Sequence, residues 1–166
     1  VAEREFVNRG KGSAFVRLKL KNLRSGSVLR ETIKTRDSVE EADVYEREGQ
    51  YMYPDDLGYH FMDTETYDQF VVSQEGLEEK GLYMKEGDTY TIVFWESNPI
   101  DIELPLKMVF EVTEAQEGIK GDTVTGATKT VKVETGLTVK VPIFIREGEK
   151  ILVNTESGEY VERVNQ

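Results

Sequence analysis

The stretch Gly10-Lys11-Gly12-Ser13-Ala14-Phe15-Val16-Arg17-Leu18-Lys19-Leu20 decides how this chain reads. A glycine-flanked lysine stands directly before a run that alternates apolar and basic residues. That period of two is the pattern of a strand with unlike faces. It predicts Phe15 and its apolar neighbours off the face that carries Arg17, Lys19 and Lys21. Asn22-Leu23-Arg24-Ser25-Gly26 has the composition of a turn. Val28-Leu29-Arg30-Glu31-Thr32-Ile33 then reads as the returning strand, so residues 14–34 are predicted to form a β-hairpin. Glycine on both sides of Lys11 permits turn geometries that other residues resist, and it strips bulk from around one long cation. Taken alone, such a tripeptide is an ordinary solvated turn. The rest of the chain gives it meaning.

Strand signals continue outward from the hairpin. Val39 to Asp43 leads into Tyr45; Gln50-Tyr51-Met52-Tyr53 and Tyr59-His60-Phe61-Met62-Asp63 then flank the turn Pro54-Asp55-Asp56-Leu57-Gly58. Residues 64–69 are predicted to start a short helix with Asp63 or Thr64 as cap. Thr89 to Trp95 is β-branched and aromatic, and Ile100 to Leu104 alternates until Pro105 stops it. Lys107 to Val112 is a further strand, followed by a long loop over Gly118 to Lys129. Thr130 to Glu134 and Leu137 to Val141 alternate around Thr135-Gly136, and Lys150 to Asn154 pairs with Tyr160 to Val164. Many short strands with little helix predict small β-barrels. Three of them need roughly sixty residues each, close to the lower limit for an independent core. The expected division is 1–43, 44–105 and 106–166. The first unit is short for a barrel, and Val1 is not an initiator, so its opening strands are expected to lie upstream.

Charge is distributed unevenly over the 166 residues, which sum to −11. Residues 1–43 carry net +3, residues 44–105 net −12 and residues 106–166 net −2. Between Arg9 and Arg36 the only acid is Glu31. A concentrated basic segment suits RNA phosphates, and the acidic middle segment is repelled by them. The absence of cysteine excludes thiol catalysis, disulfides and thiolate metal sites. His60, the single histidine, excludes a histidine-rich metal site and reads as a partly buried structural residue. Glu78-Glu79 and Asp55-Asp56 read as solvated faces, and Trp95 and the tyrosines as core rather than stacking platforms. No metal, no cofactor and no enzyme activity is expected. No run is long enough to span a membrane, and no leader pattern opens the chain, so a soluble cytoplasmic protein is expected.

The residues also resemble a known family. Gly10-Lys11-Gly12-Ser13-Ala14-Phe15 followed by Arg17-Leu18-Lys19-Leu20-Lys21-Asn22-Leu23 is similar to the first domain of bacterial elongation factor P. Tyr59-His60-Phe61-Met62-Asp63-Thr64-Glu65-Thr66-Tyr67 resembles its second domain. Gly121-Asp122-Thr123, Thr135-Gly136, Lys140-Val141-Pro142-Ile143-Phe144-Ile145 and Gly158-Glu159-Tyr160-Val161-Glu162-Arg163-Val164 resemble its third. The likeness runs through the whole chain in the family's order, which is far more specific than one short motif. It implies an all-β protein with an SH3-like (KOW-like) first barrel, N-terminally incomplete here, and two OB-folds, arranged as an L.

The resemblance further implies a monomeric factor that binds the 70S ribosome between the P and E sites, beside peptidyl-tRNA, and relieves stalling at consecutive prolines. Lys11 then corresponds to the residue that points at the tRNA acceptor end, which in many members carries an extension added by a modifying enzyme; the eukaryotic relative carries hypusine. Arg9, Gly10, Gly12 and Ser13 form the tip loop around it. Gly121, Asp122, Thr123, Gly126 and Lys129 correspond to the loop near the E-site codon, and Tyr160 and Arg163 to tRNA contacts. Two departures stand out. Many members place proline directly before the glycine-lysine-glycine, where this chain has Arg9, which adds charge and gives up proline's fixed φ. In the third domain Ala127 replaces a family glycine.

Chemistry supports that expectation. Proline's secondary amine is a poor nucleophile, and a factor that holds peptidyl-tRNA in attack geometry helps without supplying acid or base. Arg17, Lys19, Lys21 and Arg24 are the expected contacts to RNA backbone. The alternative is a generic OB-fold binder of single-stranded nucleic acid, which the negative net charge disfavours. A glycosidase with paired carboxylates finds no organised site in this sequence.

Overall fold

The computed structural model describes residues 1–8, 10–116 and 127–165. Their strands form three antiparallel sheets. The first consists of β1 (Glu3–Val7), β2 (Phe15–Lys21) and β3 (Val28–Lys34), in the order β1-β2-β3. β2 and β3 are the expected hairpin. Its turn is tied by the Asn22 carboxamide, whose Oδ1 accepts from the backbone N–H of Arg24 and Ser25 at 2.9 and 3.1 Å. Gly26 closes that turn at φ 72°, a conformation that glycine adopts without penalty.

Sequence reasoning missed β1, because Glu3-Arg4-Glu5 has no apolar alternation. Its partner supplies the reason it forms. Glu3 stands opposite Lys19 and Glu5 opposite Arg17 across the antiparallel pair, and opposite charges in directly facing positions favour the register. The expected placement of Phe15 is corrected. A period of two puts Phe15 on the same face as Arg17, and the Arg17 guanidinium lies 5.6 Å over the Phe15 ring. None of the described residues 1–43 is buried.

The second sheet comprises β4 (Val44–Asp55), β5 (Gly58–Asp63), β6 (Gln69–Val72), β7 (Thr89–Trp95) and β8 (Asn98–Glu103). The order is β6-β5-β4-β7-β8, and the edge strands β6 and β8 approach each other. The single short helix α1 (Glu78–Gly81) lies between β6 and β7. A first strand paired with the second and fourth, and a third strand closing on the fifth, is the partly closed five-stranded barrel of an OB-fold. β4 is longer than the short aromatic strand expected at 50–53. Its acidic first half, with Glu46 and Glu48, is held by pairing with β7 rather than by burial.

The helix expected at 64–69 does not form. The Asp63 carboxylate does act as a cap, accepting from the N–H groups of Glu65 and Thr66 at 2.8 and 3.0 Å, but Tyr67 at φ 62° cannot continue a right-handed helix after that first turn. β6 follows at once.

The third sheet repeats the second. It comprises β9 (Lys107–Ala115), β10 (Thr128–Val133), β11 (Thr138–Pro142), β12 (Lys150–Asn154) and β13 (Tyr160–Val164). The order β11-β10-β9-β12-β13 is topologically that of the second sheet, and β11 approaches β13. Phe61, Ile92 and Ile102 are fully buried in the second barrel, and Phe110, Val141, Ile145 and Ile151 in the third. The two cores meet. Tyr83 sets its ring edge-on to Phe110 at 6.2 Å, and Lys85 reaches across to hydrogen-bond the Val109 carbonyl and to pair with Glu134 at 2.9 Å. Buried residues of both barrels form one continuous cluster.

Asp63 is the one buried charged residue among those described, and Arg47 pairs with it at 3.0 Å. The N–H groups of Thr66 and Glu65, and then Arg47, hold its carboxyl below the usual range. The folded carboxyl therefore gives up its proton more readily than the unfolded one. Its contribution to stability is present above the ordinary carboxylate range, about pH 4, and fades as pH falls through the folded value. Asp63→Asn is expected to lower the urea midpoint at pH 7 and to flatten the loss of stability below about pH 4. An unchanged acid limb in the variant would count against this role.

Candidate nucleic-acid interface

Lys11 occupies the loop between β1 and β2, which Val7 and Phe15 close as a facing pair. Gly10, Lys11, Gly12 and Ser13 are all exposed. Among the described residues, Lys11 makes no hydrogen bond or ion pair. Among the described residues, nothing requires glycine at position 10. Its φ is outside the left-handed region, and a Cβ added there would meet nothing within 4 Å. Arg9 lies outside the described residues. The loop thus presents an unpartnered ammonium on a slender backbone.

The basic residues of the hairpin divide into three situations. Arg17 and Lys19 face Glu5 and Glu3, at 3.8 and 3.2 Å, so β1 neutralises part of the patch that the sequence displayed. Such exposed pairs contribute only about 0–1 kcal/mol each and open readily to a better anion. Lys21 is exposed at the end of β2. Arg24 is engaged elsewhere, because its guanidinium lies 5.7 Å over the Trp95 ring on β7. The acids of β1 were visible in the sequence, but their effect needed the cross-strand register.

At the far end of the chain, Gly121, Asp122, Thr123 and Gly126 lie outside the described residues. Lys129 is half-buried on β10, opposite Val141. Tyr160 is half-buried and packs against the core cluster. Arg163 donates to Glu149 Oε1 at 3.2 Å and lies 5.7 Å over the Phe144 ring. Both residues therefore have partners within the third barrel. Phe144 and Ile143 next to them stay exposed, a patch that sequence reasoning did not single out.

His60 is the stacked, half-buried residue expected of it. Its ring lies on Tyr53 at 4.4 Å between centroids. Its Nε2 comes within 2.8 Å of Asp55 Oδ2, off the axis of a hydrogen bond, and the contact holds the Asp55 carboxyl below its usual range. Trp95 is half-buried, and Tyr51, Tyr59, Tyr83 and Tyr90 are core. Burial pushes the Tyr51 hydroxyl up to about 12, so it stays protonated at neutral pH. Nothing in this set offers an acid and base within reach of one another and of an open cleft. Among the described residues, no helix is long and apolar enough to cross a membrane.

Comparison with known proteins agrees with this geometry segment by segment. Residues 1–39 match the "Elongation factor P (EF-P) KOW-like domain", residues 44–102 the "Elongation factor P (EF-P) OB domain" and residues 108–163 "Elongation factor P, C-terminal". Elongation factor P of Treponema denticola is 56% identical over 165 residues, covering 99% of this chain and 88% of that protein. The Treponema pallidum (strain Nichols) protein of the same name is 54% identical, covering 99% of this chain and 88% of its own. That of Borrelia hermsii is 51% identical, covering 100% of this chain and 88% of its own. One β-sheet that carries the exposed lysine loop, two OB barrels behind it, and this degree of identity lead to one conclusion: the chain belongs to the elongation factor P family of translation elongation factors.

Proposed function

We propose that this protein binds the 70S ribosome between the P and E sites, steadies peptidyl-tRNA and relieves stalling at consecutive prolines. The observation that carries the reading is the Lys11 loop. Among the described residues its cation has no partner, and none of them would meet a Cβ at Gly10 within 4 Å. A residue kept small without an internal reason is explained by an external surface that comes close. In this reading the acceptor end of the tRNA is that surface, and a modifying enzyme extends the Lys11 amine. The protein works as a cytoplasmic monomer, with an L-shaped outline and units that divide at 43/44 and 105/106.

The chemistry is positional. Aligning the peptidyl ester with the incoming secondary amine recovers part of the entropy and reorganisation cost that proline makes large. Lys11 brings a cation to the tRNA backbone, while Arg17, Lys19 and Lys21 hold the hairpin on phosphate. On binding, Arg17 and Lys19 exchange Glu5 and Glu3 for RNA oxygens. Gly121, Asp122, Thr123, Gly126 and Lys129 face the E-site codon in this reading, and Tyr160 and Arg163 lie near tRNA. The acidic second barrel turns away from RNA, towards solvent or protein.

Translation of a proline-run reporter tests the proposal. The protein is expected to raise full-length product, and Lys11→Ala to reduce the gain on the order of 10-fold. Gly10→Ala is expected to leave stability within about 0.5 kcal/mol yet to impair the reporter. A Lys11→Ala protein as active as the parent would overturn the reading.

Ribosome affinity measured against salt tests the phosphate contacts separately. Arg17→Ala with Lys19→Ala is expected to weaken binding and to lower the slope of log K against log salt by roughly 0.7–0.9 per lost contact. Glu3→Gln with Glu5→Gln frees the same cations and is expected to strengthen binding. An unchanged slope in the Arg17 and Lys19 variant removes them from the interface.

A further inference from the structure

The hairpin is attached to the rest of the molecule in an unusual way. Among the described residues, no hydrogen bond or ion pair crosses from residues 1–40 to the remainder of the chain. None of the described residues 1–43 is fully buried, and 37–43 run without regular structure, all exposed. The second and third barrels, by contrast, share one apolar cluster. The hairpin meets this joined body at its Asn22–Ser27 turn. There the Arg24 guanidinium lies on the Trp95 ring, and the Arg24 carbonyl lies 3.9 Å from where a Cβ on Gly76 would stand. An open groove of about 410 Å³, lined by Arg24, Ser25, Ser73, Glu75 and Trp95, runs along one side of this meeting.

The turn and the Lys11 loop sit at opposite ends of β2, so the strand acts as a lever. With seven residues it spans about 20 Å, and a swing of about 10° at the turn moves the loop by about 3.5 Å. Misplacement of about 1 Å at a reacting centre can cost on the order of 100-fold in rate. The angle at which the hairpin stands is therefore a functional quantity, and the Arg24–Trp95 cation–π contact lies where that angle is set.

We propose that Arg24 is a positioning residue: its contact with Trp95 latches the hairpin to the second barrel and so sets where the opposite end presents Lys11. The proposal rests on the reading of Lys11 given above. It replaces the expectation that Arg24 grips RNA. Arg24 suits this task because a planar guanidinium lies flat on an indole face, and Trp95 is held on β7 by pairing with Val44 and Asn98. The Asn22 side chain aims the latch by fixing the backbone of Arg24 itself.

Spin labels test the latch without a ribosome. The chain has no cysteine, so Ser13→Cys with Asp56→Cys gives one labelled pair, between the tip loop and the β4–β5 turn. Pulsed dipolar spectroscopy is expected to give a narrow distance distribution in the parent. Arg24→Ala, an exposed substitution that leaves both barrels intact, is expected to broaden it; Trp95→Leu is expected to do the same, and Trp95→Phe to retain most of the narrowness. Combining Arg24→Ala with Trp95→Leu is expected to broaden it no further than either alone. On the ribosome, Arg24→Ala is expected to lower reporter activity while leaving the salt slope of binding unchanged. An equally narrow distribution in Arg24→Ala, or a salt slope reduced by about one, would overturn the latch. Failure of Lys11→Ala to impair the reporter would instead strike the functional reading and leave the distance result standing.

Discussion

The packing of Tyr83 against Phe110 is the contact on which the rest of the structure depends. It sits where the buried clusters of two barrels become one, with Lys85 crossing beside it to Val109 and Glu134. Fully burying an aromatic or large aliphatic side chain contributes about 1.5–3 kcal/mol, and several such residues surround the junction. That is enough to make the second and third barrels a single body. The hairpin has no comparable resource. None of its residues is fully buried, and it meets the barrels at its turn, where the Arg24 guanidinium lies over Trp95, and through a connecting segment. A joined pair of barrels behind and a lightly attached arm in front is the division of labour that the proposed placing of one amine calls for.

Electrostatics follows the same division. The arm carries net +3 and the barrel beneath it net −12. The charges on the arm are only partly available, since Glu3 and Glu5 shadow Lys19 and Arg17, and Trp95 holds Arg24. Weak pairs of this kind suit an RNA-facing surface. They keep the cations ordered in the free protein and, in the proposed function, release them to phosphate at little cost, whereas Asp63 is buried beneath its exposed partner Arg47 and cannot be exchanged so readily. The acidic second barrel adds direction, because a molecule whose positive and negative potentials lie on different units is oriented in the field of a polyanion before it touches it.

Much of this was legible in the sequence. Alternation announced β2 and the β10 and β11 strands of the third barrel, the turn at 22–26 announced β3 as the returning strand, and a β-branched, aromatic run announced β7. The likeness to a family supplied the lysine loop and the order of domains. What stayed hidden was what needs a partner to be seen. β1 is a strand because Glu3 and Glu5 face cations on β2, and Phe15 lies with Arg17 because parity, not hydrophobicity, assigns faces. The stretch after Asp63 makes one capped turn and goes no further because Tyr67 takes a left-handed φ and β6 follows at once. Arg24 reads as one more member of a basic run until the fold brings Trp95 beneath it. Gly10 is the reverse case: the sequence suggested a conformational need, and the structure shows an ordinary φ in open space.

The central claim is that this loop lies against the acceptor end of peptidyl-tRNA. Directed hydroxyl-radical cleavage from an iron chelate on Ser13→Cys, with the protein bound to ribosomes stalled on a proline run, tests it most directly. The account predicts strand breaks at the acceptor end of the P-site tRNA. Breaks confined to ribosomal RNA away from that end, with the tRNA intact, would contradict it.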